Sequence, residues 1–180
     1  MRDSTKGVIA ASTQEATPRD TAAFVVLVEP VLPAAYRLAV AMLRSDTEAE
    51  DVVQEAMFKA WRHFGRFKDG AEMRPWLLTI VANECRRQRR SQWFWVVRSA
   101  DILEGEDSGH PELDAGRADL RHALHRLPHD QRLVLVLRYY LDLSFYEVAQ
   151  VLKISTKAAK SRTYRALERL RLSPEVLADA

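Results

Sequence analysis

The chain has 180 residues, 47% of them hydrophobic and 29% charged, enough for one mid-sized folded domain or two small ones. Lys and Arg number 27 against 25 Asp and Glu, so the net charge is only +2 and any affinity for nucleic acid must come from where the charges sit. The single cysteine, Cys85, rules out an intrachain disulfide and a multi-cysteine zinc site, and fits a reducing interior. The N-terminus has no charged-then-apolar signal pattern and no apolar run reaches the length of a membrane span, so a cytoplasmic chain without membrane insertion is expected.

Residues 1–20 are rich in Ser, Thr, Ala and charge without periodicity, and read as a disordered tail. Phe24 to Leu43 is apolar and helical in composition but carries Pro30 and Pro33. Proline costs about 3 kcal/mol inside a helix, so one helix should stop near Glu29 and another begin near Pro33. Thr47 with Glu50 predicts a capping box for a helix running to about Phe64, with Val52, Val53, Ala56, Met57, Ala60 and Trp61 on its apolar side. Its first half holds Asp46, Glu48, Glu50, Asp51 and Glu55 with no Lys or Arg. Phe67 to Arg74, containing Gly70, reads as a loop. Pro75 suits the first turn of the next helix, which continues through Trp76, Leu77, Ile80, Val81 and Asn83 into Arg86, Arg87, Arg89 and Arg90.

Acids then dominate residues 101–114, again without Lys or Arg, and Gly105, Gly109 and Pro111 deny that stretch a helical period. It reads as a flexible linker, 98–112, between a first domain at 21–97 and a second at 113–174. Helical patterning resumes from Leu113 to Leu127 and from Pro128 to Leu141. No strand alternation or internal repeat is evident, so the expected fold class is all-α, two small helical domains on an acidic tether.

The second domain ends in a helix-turn-helix pattern. Ser144-Phe145-Tyr146-Glu147 is a capping box opening a short helix that buries Val148, Ala149, Val151 and Leu152. A tight turn at Lys153-Ile154 leads to Ser155 or Thr156 as the cap of a second helix running to about Leu172. At 100° per residue its Ala159, Thr163, Ala166, Leu167 and Leu170 share one side, while Lys157, Ser161, Tyr164 and Arg165 point the other way with Lys160 at the rim. A capped short helix under a helix with an apolar back and basic front fits a DNA major groove. The plainer alternative is a solvated amphipathic helix closing a bundle.

Other constellations carry two readings each. Asp51, Gln54 and Glu55 fall at i, i+3 and i+4 on the acidic helix, either as a solvated first turn or as a docking face for a protein. Arg86, Arg87, Arg89 and Arg90 could complement a helix C-terminus, but four in five residues exceed what a cap needs. Phosphate neutralisation fits better, with Asn83 and Trp76 able to meet bases. His122, His125 and His129 repeat like a metal face, yet Pro128 should split that helix and no acid or cysteine completes a set, so no metal is expected. Trp93-Phe94-Trp95 reads as core packing, or as a partner surface. No phosphate-cradling loop or catalytic dyad appears, so neither an enzyme nor a cofactor is expected.

Taken together, "DTEAEDVVQEAMFKAWRHFGRF" (46–67), "RPWLLTIVANECRRQRR" (74–90) and "LHRLPHDQRLVLVLRYYLDLSFYEVAQVLKISTKAAKSRTYRALERLR" (124–171) resemble the extracytoplasmic-function sigma factors of bacterial RNA polymerase. The resemblance implies that the first domain is sigma region 2, docking on the clamp helices of core polymerase through Asp51, Gln54 and Glu55. It further implies that the loop from Lys68 through Met73 and Arg74, with the helix bearing Trp76, Asn83, Arg86, Arg87 and Arg90, holds the melted minus-ten element. The second domain resembles region 4, which would read minus-thirty-five duplex through Lys157, Lys160, Ser161, Arg162, Tyr164 and Arg165. A controlling anti-sigma factor is a further implied partner.

The sequence departs from the family's usual pattern at three places. Met73 and Arg74 stand where aromatics are frequent, and Lys157-Ala158-Ala159 stands where Gly-Thr-Val is common. Lys153 occupies a turn position commonly held by Gly, which predicts a backbone less left-handed than usual there. Two functions remain open from the residues themselves: a sigma factor, or a stand-alone helix-turn-helix regulator whose first domain dimerises.

Overall fold

The computed structural model describes the backbone of residues 18–43, 45–68, 70–98 and 115–171, and their side chains apart from those of residues 18–20, 92–98, 115–119 and 121. Residues 1–17 of the expected tail, residues 99–112 of the expected linker and the Trp93-Phe94-Trp95 side chains lie outside the described residues, whereas 18–20 are the first turn of a helix and not tail, and residue 98 still belongs to a helix and not to the linker. The described elements are all helical: α1 (Pro18–Val28), α2 (Leu32–Met42), α3 (Asp46–His63), α4 (Met73–Arg98), α5 (Ala115–Arg126), α6 (His129–Leu135), α7 (Phe145–Leu152) and α8 (Thr156–Arg171).

Pro30 and Pro33 act as expected. A single 3₁₀ turn, Glu29–Val31, takes Pro30 in its first positions, and α2 restarts with Pro33 in its first turn, where a missing N–H costs nothing. Taken as one run, Thr21–Met42 has a mean hydropathy of 1.7 and is long and apolar enough to cross a membrane by length and composition alone, contrary to the expectation from the sequence. In the fold this run is bent at the two prolines. Its Phe24, Val28, Val31, Ala35, Leu38 and Ala39 are buried, with α2 packed on α3 and α4, so part of the apolarity serves a protein core, while Val25, Val26 and Leu27 of the same run are exposed.

The cap of α3 sits two residues earlier than the Thr47–Glu50 box. Ser45 is extended and its hydroxyl accepts from the Glu48 amide at 3.4 Å, leaving Asp46 and Thr47 inside the helix and Asp46 and Glu48 in its first turn, where the dipole favours acids. α4 likewise begins at Met73 rather than Pro75, because Met73 is buried and draws the last loop residues into the first turn. Leu77, Leu78, Val81, Ala82 and Cys85 along α4 are also buried. Each of the larger three contributes roughly 1.5–3 kcal/mol of apolar burial.

In the second half, α6 passes into a π-turn over Val136–Tyr140, with the Leu141 amide reaching back to the Val136 carbonyl at 2.9 Å. The capping box at Ser144 is present in both directions: its hydroxyl accepts from Glu147 N at 3.2 Å and its amide donates to Glu147 Oε2 at 2.7 Å. Ser155, not Thr156, caps α8, accepting from Ala158 N at 3.2 Å. The two halves do not stand apart. α4 packs on α2 and α3 and also on α7, and the buried residues of both halves form one continuous apolar cluster.

At Lys153 the expectation fails. Its φ and ψ are 53° and 47°, fully left-handed. The reason is the turn itself: Ile154 N bonds to Ala149 O at 3.0 Å while Lys153 N bonds to Gln150 O at 3.2 Å, a C-terminal closure that requires the left-handed residue whatever its side chain. Lys153→Gly should therefore stabilise the chain by about 0.5–1 kcal/mol, the relief of a left-handed L-residue less the extra entropy of glycine. Urea titration followed by circular dichroism measures it, and a lower midpoint in the variant would count against this account.

Candidate nucleic-acid interface

α8 divides as its periodicity predicts. Ala159, Thr163 and Ala166 are buried and Leu167 and Leu170 half-buried, with the Thr163 hydroxyl returned to the Ala159 carbonyl at 2.9 Å. Lys157, Lys160, Ser161, Arg162, Tyr164 and Arg165 are all exposed. Two of them are partly organised by neighbours: Lys160 Nζ stands 5.7 Å from the centre of the Phe145 ring, and Arg165 Nε approaches the Ser161 carbonyl at 3.4 Å. The face is thus basic, aromatic-bearing and open, on a helix seated against α6 and α7.

On α3, Asp51 and Gln54 are exposed and Glu55 is half-exposed, while Val52 and Ala56 are buried beneath them. Glu55 is not a lone charge. Lys59 Nζ lies 3.2 Å from its carboxylate and 2.7 Å from that of Glu84, and Arg87 Nε binds Glu84 at 2.7 Å while its Nη2 stands 3.9 Å from Glu55. Burial alone would raise the Glu84 carboxyl, but the hydrogen bonds and charges of Lys59 and Arg87 win and hold it below the usual carboxylate range.

The α4 residues expected to face a DNA strand are dispersed among several environments. Asn83, Arg90 and, before the helix, Lys68 are exposed. Met73 is buried at 7% exposure, so in this arrangement it packs in the core instead of facing a strand. Trp76 is half-buried, tilted against Phe67 at 5.1 Å between ring centres, the end of an aromatic row that includes Phe64, Trp61 and Phe24. Arg74 donates from Nη2 to the Leu141 carbonyl at 2.5 Å and lies 3.7 Å from Glu147, the same glutamate that closes the α7 capping box. Thr79 bonds within its helix to Pro75 O at 2.7 Å and lies 3.3 Å from Val151 O of α7. Arg86 bonds to Asn83 at 3.0 Å and to Asp130 of α6 at 3.2 Å. Across the same junction Arg37 of α2 covers the Tyr140 ring at 5.9 Å. Arg74 and Arg86 are therefore committed to the helix-turn-helix half here.

Around Asp130, the His129 ring is buried with Nδ1 3.5 Å from the Asp130 carboxylate, and His125 hydrogen-bonds Arg132. His122, His125 and His129 are split between α5 and α6, and among the described residues no group of His, Cys, Asp or Glu is arranged to hold a metal ion. Burial, with Arg132 and Arg86 nearby, lowers the His129 pKa to about 4 despite Asp130. Cys85 is buried and its thiol is pushed up to about 12, which leaves it unreactive at neutral pH.

Four residues that organise these faces were not singled out by sequence reasoning: Lys59, Glu84, Asp130 and Glu147 in its second role. The available signal was Glu84 as the one acid among the arginines of 83–98, and Lys59 one turn after Glu55. Nothing local marks Asp130 or Glu147, whose partners are 44 and 73 residues away (130 − 86; 147 − 74).

The chain matches the family models described as Sigma-70 region 2 over residues 27–94 and Sigma-70, region 4 over residues 117–170. It is similar to the ECF RNA polymerase sigma factor SigL of Mycobacterium tuberculosis, with 33% identity over 79% of this chain and 83% of that protein. It is also similar to the RNA polymerase sigma factor SigV of Bacillus subtilis, with 28% identity over 76% of this chain and 82% of that one. Among solved structures, the sigma factor RpoE in complex with the anti-sigma factor NepR from Bartonella quintana is similar at 31% identity and a TM-score of 0.74, covering 87% of this chain and 97% of that one. The chain belongs to the extracytoplasmic-function sigma factors of the sigma-70 family.

The His129 environment gives a pH dependence with a definite sign. The folded-state pKa of about 4 lies below the ordinary 6.5, so between those values the unfolded chain holds a proton that the native chain refuses. Stability is flat above about pH 6.5 and falls as pH drops toward 4, by up to about 3 kcal/mol from this group. His129→Gln should remove this group's share of the loss in that window, as read by urea titrations at stepped pH.

Proposed function

We propose that this sigma-70 family chain acts as a transcription initiation factor: it binds core RNA polymerase through the α3 face and directs it to promoters read by α8 and α4. The observation that carries this is α8, whose buried Ala159, Thr163 and Ala166 fix six polar and basic side chains outward on a helix-turn-helix. Family membership favours it over a stand-alone regulator. Sigma factors as a family are not enzymes, and the place of action is the bacterial cytoplasm.

The division of labour follows from chemistry. Asp51, Gln54 and Glu55 remain accessible with the two halves packed together, so docking on polymerase does not require prior opening. Parting of α4 from α6 and α7 then releases Arg74 and Arg86 to join Arg87, Arg90, Asn83 and Lys68 along the melted minus-ten strand. Single-stranded DNA needs cations for phosphates and a flat ring for a base, and Trp76 supplies the ring. Exposed Arg165 suits a bidentate contact to guanine, while Lys157 at the helix N-terminus suits a phosphate. An anti-sigma protein, as seen with the Bartonella quintana sigma factor, is the proposed regulatory partner.

Gln54→Lys with Glu55→Lys should abolish pull-down of core polymerase while leaving the circular dichroism spectrum unchanged. A double variant that binds core polymerase like the parent would remove α3 as the docking face.

Arg165→Ala should relax sequence preference at one minus-thirty-five position by roughly 1–3 kcal/mol, and Lys157→Ala should weaken all promoter variants nearly equally. In vitro transcription with core polymerase across single-base promoter variants reads both. A uniform loss with Arg165→Ala means that α8 enters the groove in another rotation. Promoter-specific duplex binding of equal strength with and without polymerase would instead favour the stand-alone regulator.

A further inference from the structure

The four charges where α3 meets α4 form a closed set: Glu55 and Lys59 from one helix, Glu84 and Arg87 from the other. Glu84 sits at its centre with a side chain only 8% exposed, bonded at 2.7 Å to each cation. Glu55 and Arg87 are the exposed ends, at 41% and 61%. The proposed function places opposite duties on those ends, since Glu55 meets polymerase and Arg87 meets a DNA strand.

We propose, resting on that reading, that Glu84 and Lys59 are positioning residues that couple polymerase docking to strand binding. With both acids in place the set is neutral, and the positive field of Arg87 is answered by Glu84 at its Nε and by Glu55 near its Nη2. When a polymerase cation takes Glu55, one of those two acids is neutralised from outside. The set then carries one uncompensated positive charge. Glu84 is shared with Lys59, which is less exposed than Arg87 at 32% against 61%, so the excess appears at the outer edge of Arg87, where a phosphate would sit. The converse holds by linkage: a phosphate on Arg87 leaves Glu55 with Lys59 alone and more available to polymerase. A simple tether between α3 and α4 would not have this property. Breaking a tether weakens both partners' binding, whereas removing one acid from a shared set moves the two in opposite directions.

The experiment uses the full chain at low salt, with fluorescence anisotropy of a short single-stranded oligodeoxynucleotide and, separately, affinity for core polymerase. Glu55→Gln, on the exposed end and harmless to the fold, should bind the oligonucleotide about two- to five-fold more tightly, the scale of a partly exposed ion pair. The gain should shrink as salt rises. It should vanish in the Arg87→Gln background, where Glu55→Gln changes nothing further. Glu84→Gln should likewise tighten the oligonucleotide but weaken core polymerase several-fold, because Lys59 and Arg87 then converge on Glu55. Unchanged oligonucleotide affinity in Glu55→Gln, or an equal gain with and without Arg87, overturns the coupling. Parallel loss of both affinities in Glu84→Gln leaves it a tether. Should Glu84→Gln fail to fold, the Glu55–Arg87 cycle decides alone. Failure of the parent chain to bind core polymerase would remove the functional reading itself, a result distinct from any of these.

Discussion

The arrangement depends on one constraint: α4 must bury side chains on both of its flanks. Leu77, Leu78, Val81, Ala82 and Cys85 leave almost no surface, and the helix packs on α2 and α3 on one hand and on α7 on the other. Along the buried part of such a helix the charges lie close to its neighbours: Arg74, Glu84, Arg86 and Arg87 all pair across to another element. Glu84 is the extreme case, a carboxylate inside the α3–α4 seam. An ion so placed is costly unless paired, and removing one partner from such a site typically costs more than the pair contributes. The Lys59 and Arg87 bonds are therefore conditions for α4 to lie where it does.

The same constraint decides which cations are free. With a net charge of only +2, the chain cannot draw nucleic acid by overall attraction, and its local positive patches are partly answered by its own acids. Asp130 and Glu147 take Arg86 and Arg74 and Glu84 takes Arg87, while α8 keeps an exposed basic face and Arg89 and Arg90 of α4 are exposed as well. Most of the individual pairs are part-exposed and each is worth little by itself. Their effect lies in geometry: Glu147 and Asp130 of the helix-turn-helix half sit opposite Arg74 and Arg86 of α4 and fix how the two halves meet.

What was legible in the sequence was local. The Ser144–Glu147 box, the proline breaks at 30 and 33, and the buried and exposed sides of α8 each depend on residues within one or two turns of each other, and each was found where periodicity and capping chemistry put it. The capping pattern at Thr47 points two residues too far at α3: Ser45 also precedes an acid by three residues, and its extended backbone makes it the cap. Pro75 looks like a first-turn residue and so leaves Met73 in the loop by sequence, whereas burial of Met73 carries the helix two residues further back. The Lys153 conformation followed from turn hydrogen bonding that overrides the cost of a side chain. The junction between the halves left no trace in the sequence, because ion pairs between residues dozens of positions apart have no period.

The helix-turn-helix itself shows why the supporting helix matters beyond its packing. Phe145, the first residue of α7, receives Lys160 of α8 over its ring at 5.7 Å and Arg138 of the π-turn at 5.2 Å. Arg138 is in turn bonded to the Leu143 carbonyl at 3.1 Å, so the ring is held between an anchored cation and one that faces out. A lysine has about 2 kcal/mol of rotamer entropy to lose when it grips a base or phosphate, and a partner that already restricts it lowers what remains to be lost on binding. Tyr164 and Arg165 on the same face have no aromatic neighbour of this kind in the described contacts, and Arg165 is restrained only by a long approach to its own helix. The exposed basic face of α8 is thus graded, with a restrained cation at the rim next to α7 and less restrained side chains further along. That gradation is set by the residue that opens the preceding helix.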